Sequence, residues 1–199
     1  PEAVKMAPII QQLSQTLGIE SLVCVTAQHR QMLDQVLNLF DITPDIDLNL
    51  MKPNQTLAGI TAAIFTDLDP VLRDLRPDWV LAQGDTTTVL AAALGAYYQR
   101  VRFGHVEAGL RTGNRYQPFP EEMNRYLADA LADRHFAPTE RSRQALLREG
   151  IPAAKIKLVG NTVIDTLLAT AALPYDWSTG PLARIPQHQR LVLVTAHRR

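Results

Sequence analysis

The stretch Val101-Arg102-Phe103-Gly104-His105-Val106-Glu107-Ala108-Gly109 decides the fold of this 199-residue chain. A mostly apolar run of six residues leads directly into a carboxylate and a glycine turn, as where a buried strand opens into a loop. A second stretch, Trp79-Val80-Leu81-Ala82-Gln83-Gly84-Asp85, has the same layout. Because ligands bind outside the carboxyl ends of strands in open α/β sheets, these two acids indicate acid/base chemistry.

Strand-like runs alternate with helical stretches over most of the chain. The sequence predicts strands at 22–26, 45–50 (or an extended loop), 79–82, 101–106, 135–137 and 156–159, and helices at 29–40, 56–75, 87–98, 120–132, 139–149 and 162–172. Such alternation is typical of βαβ units, which form a parallel sheet with helices on both faces. We therefore expect an α/β fold with a doubly wound, Rossmann-like parallel sheet.

The composition changes toward the carboxyl end. Residues 1–173 predict the Rossmann-like domain, and residues 174–189, which include three prolines, predict a linker or surface excursion. The apolar run Arg190–Thr195 predicts that residues 190–199 begin the first strand of a following domain. A helical pattern starts almost at residue 1, so we expect a strand before it and interpret the sequence as a piece of a longer chain.

Composition excludes several classes of function. Apolar residues make up 46% of the chain, and twenty basic side chains balance twenty acidic ones. This balance argues against bulk electrostatic binding of nucleic acid or of an anionic membrane. No apolar stretch reaches the 18 residues of a membrane span. The single cysteine, Cys24, is predicted to be a small core residue, and a reducing cytoplasm is the natural compartment.

Signatures of common cofactors are missing from the sequence. It contains no G-x-G-x-x-G, no G-x-x-x-x-G-K-[ST], no C-x-x-C and no H-E-x-x-H. Neither dinucleotide binding, nor a phosphate-binding P-loop, nor one of these metal sites is therefore supported.

Both strand-end acids have a structural alternative to catalysis. Asp85 precedes three threonines and could cap the helix that follows. Glu107 could be a solvated residue at the strand end, or a partner of Arg111. The glycines on either side of Glu107 favour function, because they permit close approach of the backbone to a ligand.

The segment Pro120-Glu121-Glu122-Met123-Asn124-Arg125 opens a helix. Its acids favour the positive end of the helix dipole, and Glu121 with Arg125 forms an i,i+4 pair, which is the structural interpretation. The functional alternative is that the short loop after Glu107 brings Glu121 to the same crevice. Glu107 and Glu121 could then be an acid/base pair whose pKa values are pushed apart.

Other polar side chains are candidates for ligand binding. The segment Thr26–Gln31 follows a strand and opens a helix, a geometry suited to phosphate or sugar hydroxyls, although a capped helix is the alternative. Lys5 could neutralise a phosphate or be solvated. His197 follows the last apolar run and could shuttle a proton or donate to a phosphate.

Taken together, these segments resemble the bacterial non-hydrolysing UDP-N-acetylglucosamine 2-epimerases. The matching stretches span the whole chain in family order: residues 1–8, 26–37, 84–88, 104–112, 120–125, 160–165 and 195–199. One departure is Gln83, where relatives often have histidine. The resemblance implies the amino-terminal half of a GT-B-type two-domain fold, with the active site between the domains.

The resemblance also implies a reaction and its residues. The reaction is reversible C2 epimerisation of UDP-N-acetylglucosamine to UDP-N-acetylmannosamine, for cell-envelope polysaccharide precursors. It proceeds by anti elimination of UDP and re-addition through a glycal, with no metal or nicotinamide cofactor. The implied catalytic residues are Asp85, Glu107, Glu121 and His197, and the implied substrate-binding residues are Lys5, Arg125 and His197.

A homodimer is implied as well, with substrate acting as an allosteric activator at Gln28, His29, Arg30 and Gln31. Two alternatives share the fold, namely a GT-B glycosyltransferase and a hydrolysing epimerase that releases free N-acetylmannosamine. A third alternative, from another class, is a non-catalytic domain that binds a sugar nucleotide or dimerises. For these 199 residues alone we expect no epimerase activity, because half of the cleft is missing.

Overall fold

The computed structural model describes residues 2–27, 30–50, 52, 54–186 and 188–195. Its helices are α1 Glu2–Ser14, α2 Arg30–Leu39, α3 Leu57–Leu75, α4 Thr87–Tyr98, α5 Glu121–Leu131, α6 Glu140–Arg148 and α7 Val163–Ala171, and a short 3-10 helix spans Ala153–Lys155. Its strands are β1 Cys24–Val25, β2 Ile46–Asp47, β3 Trp79–Gln83, β4 Arg102–Val106, β5 Arg134–Ala137 and β6 Ile156–Leu158. Elements alternate as predicted, with bounds mostly within two residues of the sequence-based ones.

All strand pairs in the described part of the chain are parallel. One sheet has the order β3-β4-β5-β6, and a separate pair joins β1 to β2. Gln83 pairs in register with Val106, so β3 and β4 end side by side. The α/β parallel architecture is therefore confirmed, and its carboxyl-terminal edge carries both predicted acids.

The core lies between the sheet and the helices. One buried cluster joins α3, α4 and α5 to β4, with Ile64, Leu72, Val89 and Phe103 at its centre. A second, smaller cluster lies under α6 and includes Leu146 and Ile156. Among the described residues, no helix is long and apolar enough to cross a membrane.

A groove of about 920 Å³ separates the two sheets. Cys24 and Val25 of β1 line one side, Leu81 and Gln83 of β3 line the other, and α1 and α2 contribute apolar side chains such as Met6. Cys24 is exposed, so its prediction as a core residue is wrong. The physical reason is that, among the described residues, β1 belongs to a two-stranded sheet with β2, and Cys24 lies at the wall of the groove rather than beneath another layer.

The predicted strand Arg190–Thr195 is not formed in the described part of the chain. Residues 190–195 form no ladder with any described strand, and Leu193 and Val194 are almost fully exposed. A strand needs a hydrogen-bonded neighbour, and an apolar sequence alone does not supply one. Residues 174–186 form turns and bends without helix or strand, and the division of the chain at 173 and 189 stays a prediction.

Gly109 is a point where the fold requires glycine. Its φ is +82°, and a Cβ placed there would lie 2.4 Å from the backbone oxygen of Ser142 in α6. Gly113 has a similar φ of +81°, but an added Cβ would meet nothing within 4 Å. The loop after β4 can therefore pack against α6 only without a side chain at residue 109.

We expect Gly109→Ala to destabilise the protein more than Gly113→Ala. The control substitution costs about 1 kcal/mol because alanine is strained at positive φ. Gly109→Ala adds about 1–3 kcal/mol from the forced shift of α6. Urea unfolding of both variants measures the difference, and equal losses would contradict the close packing of residue 109 on α6.

Candidate functional site

The site is built at the edge where β3 and β4 end. Because Gln83 and Val106 are in register, the residues that follow them are neighbours. Glu107 has a φ of +66°, in the left-handed region that non-glycine residues rarely adopt. Such strain is often found at functional sites, where the surroundings hold it in place. Here the backbone N–H groups of Gly84 and Ala108, bonded to the carbonyls of Val106 and Phe136, fix the loop around Glu107.

Glu107 accepts hydrogen bonds from three side chains on different elements. Lys5 Nζ lies 2.7 Å from each of its carboxylate oxygens. Gln83 Nε2 donates to Oε2 at 2.5 Å, and Asn161 Nδ2 donates to Oε1 at 2.8 Å. The Glu107 side chain is only 13% exposed. This carboxylate is therefore held in one orientation by donors alone.

The backbone of Lys5 is itself tied down. Thr162 donates from its hydroxyl to the carbonyl of Lys5 at 2.6 Å, and Thr166 donates in the same way to Val4. These bonds attach α1 to α7 beside the sheet edge. Lys5, which the resemblance assigns to the substrate diphosphate, lies here as the ion-pair partner of Glu107.

Asp85 is bound by a guanidinium. Arg125 donates to Asp85 Oδ2 from Nε at 2.9 Å and from Nη2 at 2.5 Å. Asn124 Nδ2 donates to the Asp85 backbone carbonyl at 2.8 Å. The N-cap of α4 is Thr86, so the capping alternative for Asp85 is not observed. Asp85 instead links the end of β3 to α5.

Glu121 begins α5, as the sequence predicted for this helix. Its Oε2 is buried and has no hydrogen-bond partner among the described residues. The i,i+4 pair with Arg125 is not formed, because Arg125 bonds Asp85 and, at i,i+3, Glu122. A buried acceptor without a donor is costly, so Glu121 is in an environment suited to a ligand donor.

Glu122, beside it, has a structural role that sequence reasoning missed. It is fully buried and accepts the backbone N–H groups of Thr112 and Gly113, both at 2.9 Å. Burial opposes ionisation, yet these bonds and Arg125 hold the pKa of Glu122 below its ordinary value. Glu122 therefore anchors the loop that joins β4 to α5.

Some predicted residues are not brought to this edge. Arg30 forms ion pairs with Asp34 and Asp47 on the surface, and Gln31 is exposed on α2. Gln28, His29 and His197 lie outside the described residues. Their predicted roles, allosteric for the first two and catalytic for His197, stay predictions.

A buried ionic network lies under the site. Asp129, which is 1% exposed, has Oδ1 2.6 Å from His105 Nδ1 and accepts Arg111 Nη2 at 2.8 Å. Its Oδ2 also accepts the backbone N–H of Gly109. Burial raises the pKa of a carboxyl, but His105 and Arg111 outweigh it and hold the pKa of Asp129 below its usual range. Arg111 thus pairs with Asp129, and also with Glu149, so its alternative pairing with Glu107 is not observed.

The network reaches the loop that carries Asp85. His105 Nε2 lies 2.7 Å from the carbonyl oxygen of Gly84. Because a carbonyl can only accept, this nitrogen donates and the ring bridges Gly84 to Asp129. Asp129 therefore positions the loops after both β3 and β4.

Sequence reasoning found the three acids but missed most of their partners. Gln83 was noted only as a departure from the family pattern, and Asn161 only as part of a matching motif. Asp129 lies in the interior of α5 on its buried face, so the helical pattern placed it next to the core. A charged residue on an apolar helix face is the signal that could have identified it, since such residues are buried only when paired.

The arrangement suits proton transfer on a bound ligand. Two carboxylates lie at one sheet edge, each held by a cation, and a third has an unpaired buried oxygen. Lys5 and Arg125 lie at the same edge. Each can neutralise the charge of a phosphate group if a ligand takes the place of the carboxylate that it now binds. The site therefore combines proton-transfer groups with anion-binding groups.

We expect Asp129→Asn to destabilise the protein by about 3–5 kcal/mol at pH 7, because it takes a buried anion away from the guanidinium of Arg111 and removes the carboxylate that His105 contacts. The pKa of Asp129 is lowered on folding, so its stabilising effect is full above about pH 4 and disappears as pH falls through the lower folded pKa. The variant should therefore lose less stability than the wild type between about pH 4 and pH 2. Denaturant unfolding over this pH range is the measurement. The matched control Glu20→Gln removes an exposed acid that has no ion pair or hydrogen bond among the described residues, and it should leave this profile nearly unchanged.

Comparison with known proteins gives the family. Residues 11–199 match the family described as UDP-N-acetylglucosamine 2-epimerase. The UDP-N-acetylglucosamine 2-epimerase of Salmonella typhimurium is 54% identical over 205 residues, covering 100% of this chain and 54% of the relative. The chain thus spans about half the length of the curated relatives it matches.

Solved structures of UDP-GlcNAc 2-epimerases have a similar fold. The UDP-GlcNAc 2-epimerase of Neisseria meningitidis, bound to UDP-GlcNAc, is 58% identical with a TM-score of 0.82, covering 84% of this chain and 45% of that one. The enzyme of Methanocaldococcus jannaschii, in complex with UDP-GlcNAc and UDP, is 39% identical with a TM-score of 0.80, covering 85% and 46%. The parallel α/β fold is thus that of about half of a GT-B-like epimerase. The chain belongs to the UDP-N-acetylglucosamine 2-epimerase family.

Proposed function

We propose that this chain supplies the amino-terminal half of an enzyme that interconverts UDP-N-acetylglucosamine and UDP-N-acetylmannosamine at C2. The observation that carries the proposal is Glu107, a strained and nearly buried carboxylate held by Lys5, Gln83 and Asn161 at the ligand-binding edge of the sheet. Relatives named for this activity, and structures of relatives that hold UDP-GlcNAc, support it.

The first half-reaction is an elimination. The C2 proton of the sugar is not acidic in the ground state, while C1 carries the UDP leaving group. As the C1–O bond breaks, UDP departs with the bonding electron pair and positive charge develops at C1. A carboxylate on the opposite face removes the C2 proton, and the C2–H electrons form the C1=C2 double bond of the glycal. This is the anti elimination.

The second half-reaction restores the nucleotide sugar. An oxygen of UDP attacks C1, and C2 receives a proton on the face opposite to the one that lost it. Two faces require two proton-transfer groups, which suits a cluster of acids better than a single base. Asp85, Glu107 and Glu121 are the proposed groups, and His197 completes the proposed catalytic set.

The cations of the site have a second role in this scheme. Lys5 and Arg125 are bonded to Glu107 and Asp85, so each can tune an acid or turn to the diphosphate of the substrate. Diphosphate binding would draw positive charge away from the acids and toward the leaving group. Developing charge on UDP is stabilised by such fixed cations in a closed cleft.

Assembly and regulation complete the proposal. A homodimer is proposed from the resemblance, as is activation by substrate through Gln28, His29, Arg30 and Gln31. An extended segment before residue 1 is proposed to occupy the groove between β1 and β3, whose free strand edges and apolar lining support a parallel strand there.

Removing a carboxylate from the site should slow epimerisation. In the chain extended to the length of its relatives, Asp85→Asn, Glu107→Gln and Glu121→Gln are each expected to lower kcat by about 10²–10⁴-fold, since each removes a proton-transfer group. Glu140→Gln, which removes an exposed acid on α6, is the matched control.

The assay follows UDP-N-acetylglucosamine in deuterated water by proton NMR. Loss of the C2 proton signal together with growth of UDP-N-acetylmannosamine is the expected result. Release of free N-acetylmannosamine and UDP would indicate a hydrolysing epimerase. An unchanged substrate would reject epimerisation and favour a glycosyltransferase or a binding role.

The 199-residue chain alone should show no measurable epimerase activity in the same assay. Its groove is open and it spans about half the length of its relatives, so water would reach a glycal bound at this edge. Substantial turnover by the pure 199-residue chain would contradict this expectation.

A further inference from the structure

Gln83 is a buried polar residue that the proposed mechanism does not yet use. It ends β3, is only 4% exposed, and lies against Glu107 with its Nε2 2.5 Å from Oε2. The orientation of its amide is settled by chemistry, because the reverse orientation would place two oxygens that only accept against each other.

The other end of the amide has no partner. Gln83 Oε1 is buried and unbonded among the described residues. Gln83 and Thr88, whose hydroxyl is also buried and unbonded there, both line the groove between β1 and β3. A residue kept only for stability would not leave a buried acceptor unsatisfied, since this is destabilising. We therefore expect the hydrogen bond from Gln83 Nε2 to Glu107 to have a function that offsets the destabilising effect of the unbonded Oε1.

The donors around the Glu107 carboxylate indicate what this function is. The backbone of Glu107 is held in the left-handed region, and its two carboxylate oxygens receive different sets of donors. Lys5 is a flexible point charge that contacts both oxygens equally, and Asn161 holds only Oε1. Gln83 is the donor that distinguishes Oε2, from the rigid end of a strand.

We propose that Gln83 is a positioning residue, whose side-chain amide fixes Oε2 of Glu107 in the direction needed for proton transfer at the sugar. This inference rests on the proposed epimerase function. Because an amide does not titrate, the Gln83 donor itself is present at every pH at which the protein is folded.

The first test is Gln83→Met in the chain extended to the length of its relatives. Methionine has a similar length and no donor, so kcat should fall about 10–100-fold while KM stays within about threefold, as expected for a misdirected group. The melting temperature should stay within about 3 °C, because the unsatisfied oxygen is removed together with the hydrogen bond. Thr88→Val is the matched control. It removes the neighbouring unbonded hydroxyl at constant shape and should leave kcat unchanged.

The second test is Gln83→His, which restores a donor that titrates. It should recover most of the activity lost in Gln83→Met, and its kcat profile should gain a pH-dependent step near pH 6–7 relative to the profile of the wild type. A structural role for Gln83 would not produce this step. The proposal is overturned if Gln83→Met matches the wild type in kcat, or if Gln83→His is as slow as Gln83→Met.

A third measurement separates this inference from the proposed function. In the wild-type extended chain, the Gln83 side-chain amide should give a ¹H–¹⁵N signal shifted downfield by the carboxylate, and Glu107→Gln should abolish the shift. If the shift is present but no epimerisation occurs, the proposed function fails while the contact stands. If the shift is absent, the positioning role fails whatever the activity.

Discussion

The buried carboxylate of Asp129 is the interaction on which the site depends. It holds His105 and Arg111, fixes the carbonyl of Gly84 through His105, and accepts the N–H of Gly109 directly. Burying such a charge is favourable only when every oxygen is paired, and here the partners are the loops that carry the acids. The geometry of the loops that carry Asp85 and Glu107 is therefore set by a buried residue in the interior of α5.

Above this network, the parallel register decides which acids meet. Since β3 and β4 end level with each other, Asp85 and Glu107 emerge as neighbours, and each receives a cation from a helix rather than from the sheet. Lys5 comes from α1 and Arg125 from α5, so the two acids are contacted by separate helices. Such separation is what a reaction needs when protons must be handled on both faces of one carbon.

The sequence predicted those features that depend on neighbouring residues. Alternating patterns located the strands and helices, and strand-end position located Asp85 and Glu107. It could not predict the contact of Lys5 with Glu107, because 102 residues separate them and only the packing of α1 on the sheet brings them together. Cys24 was misplaced for a related reason, since an apolar run is buried only when something covers both of its faces.

The open groove has a consequence for handling the protein. Within the described ranges β1 pairs only with β2 and β3 only with β4, so their facing edges have no strand partner there and lie beside apolar side chains. Edges of this kind are templates for strands from other molecules. While the groove is empty, pairing of these edges with strands of other molecules lowers the solubility of the protein. Aggregation of preparations with an empty groove should therefore rise with protein concentration, and would reflect backbone groups seeking a neighbour rather than loss of the native fold.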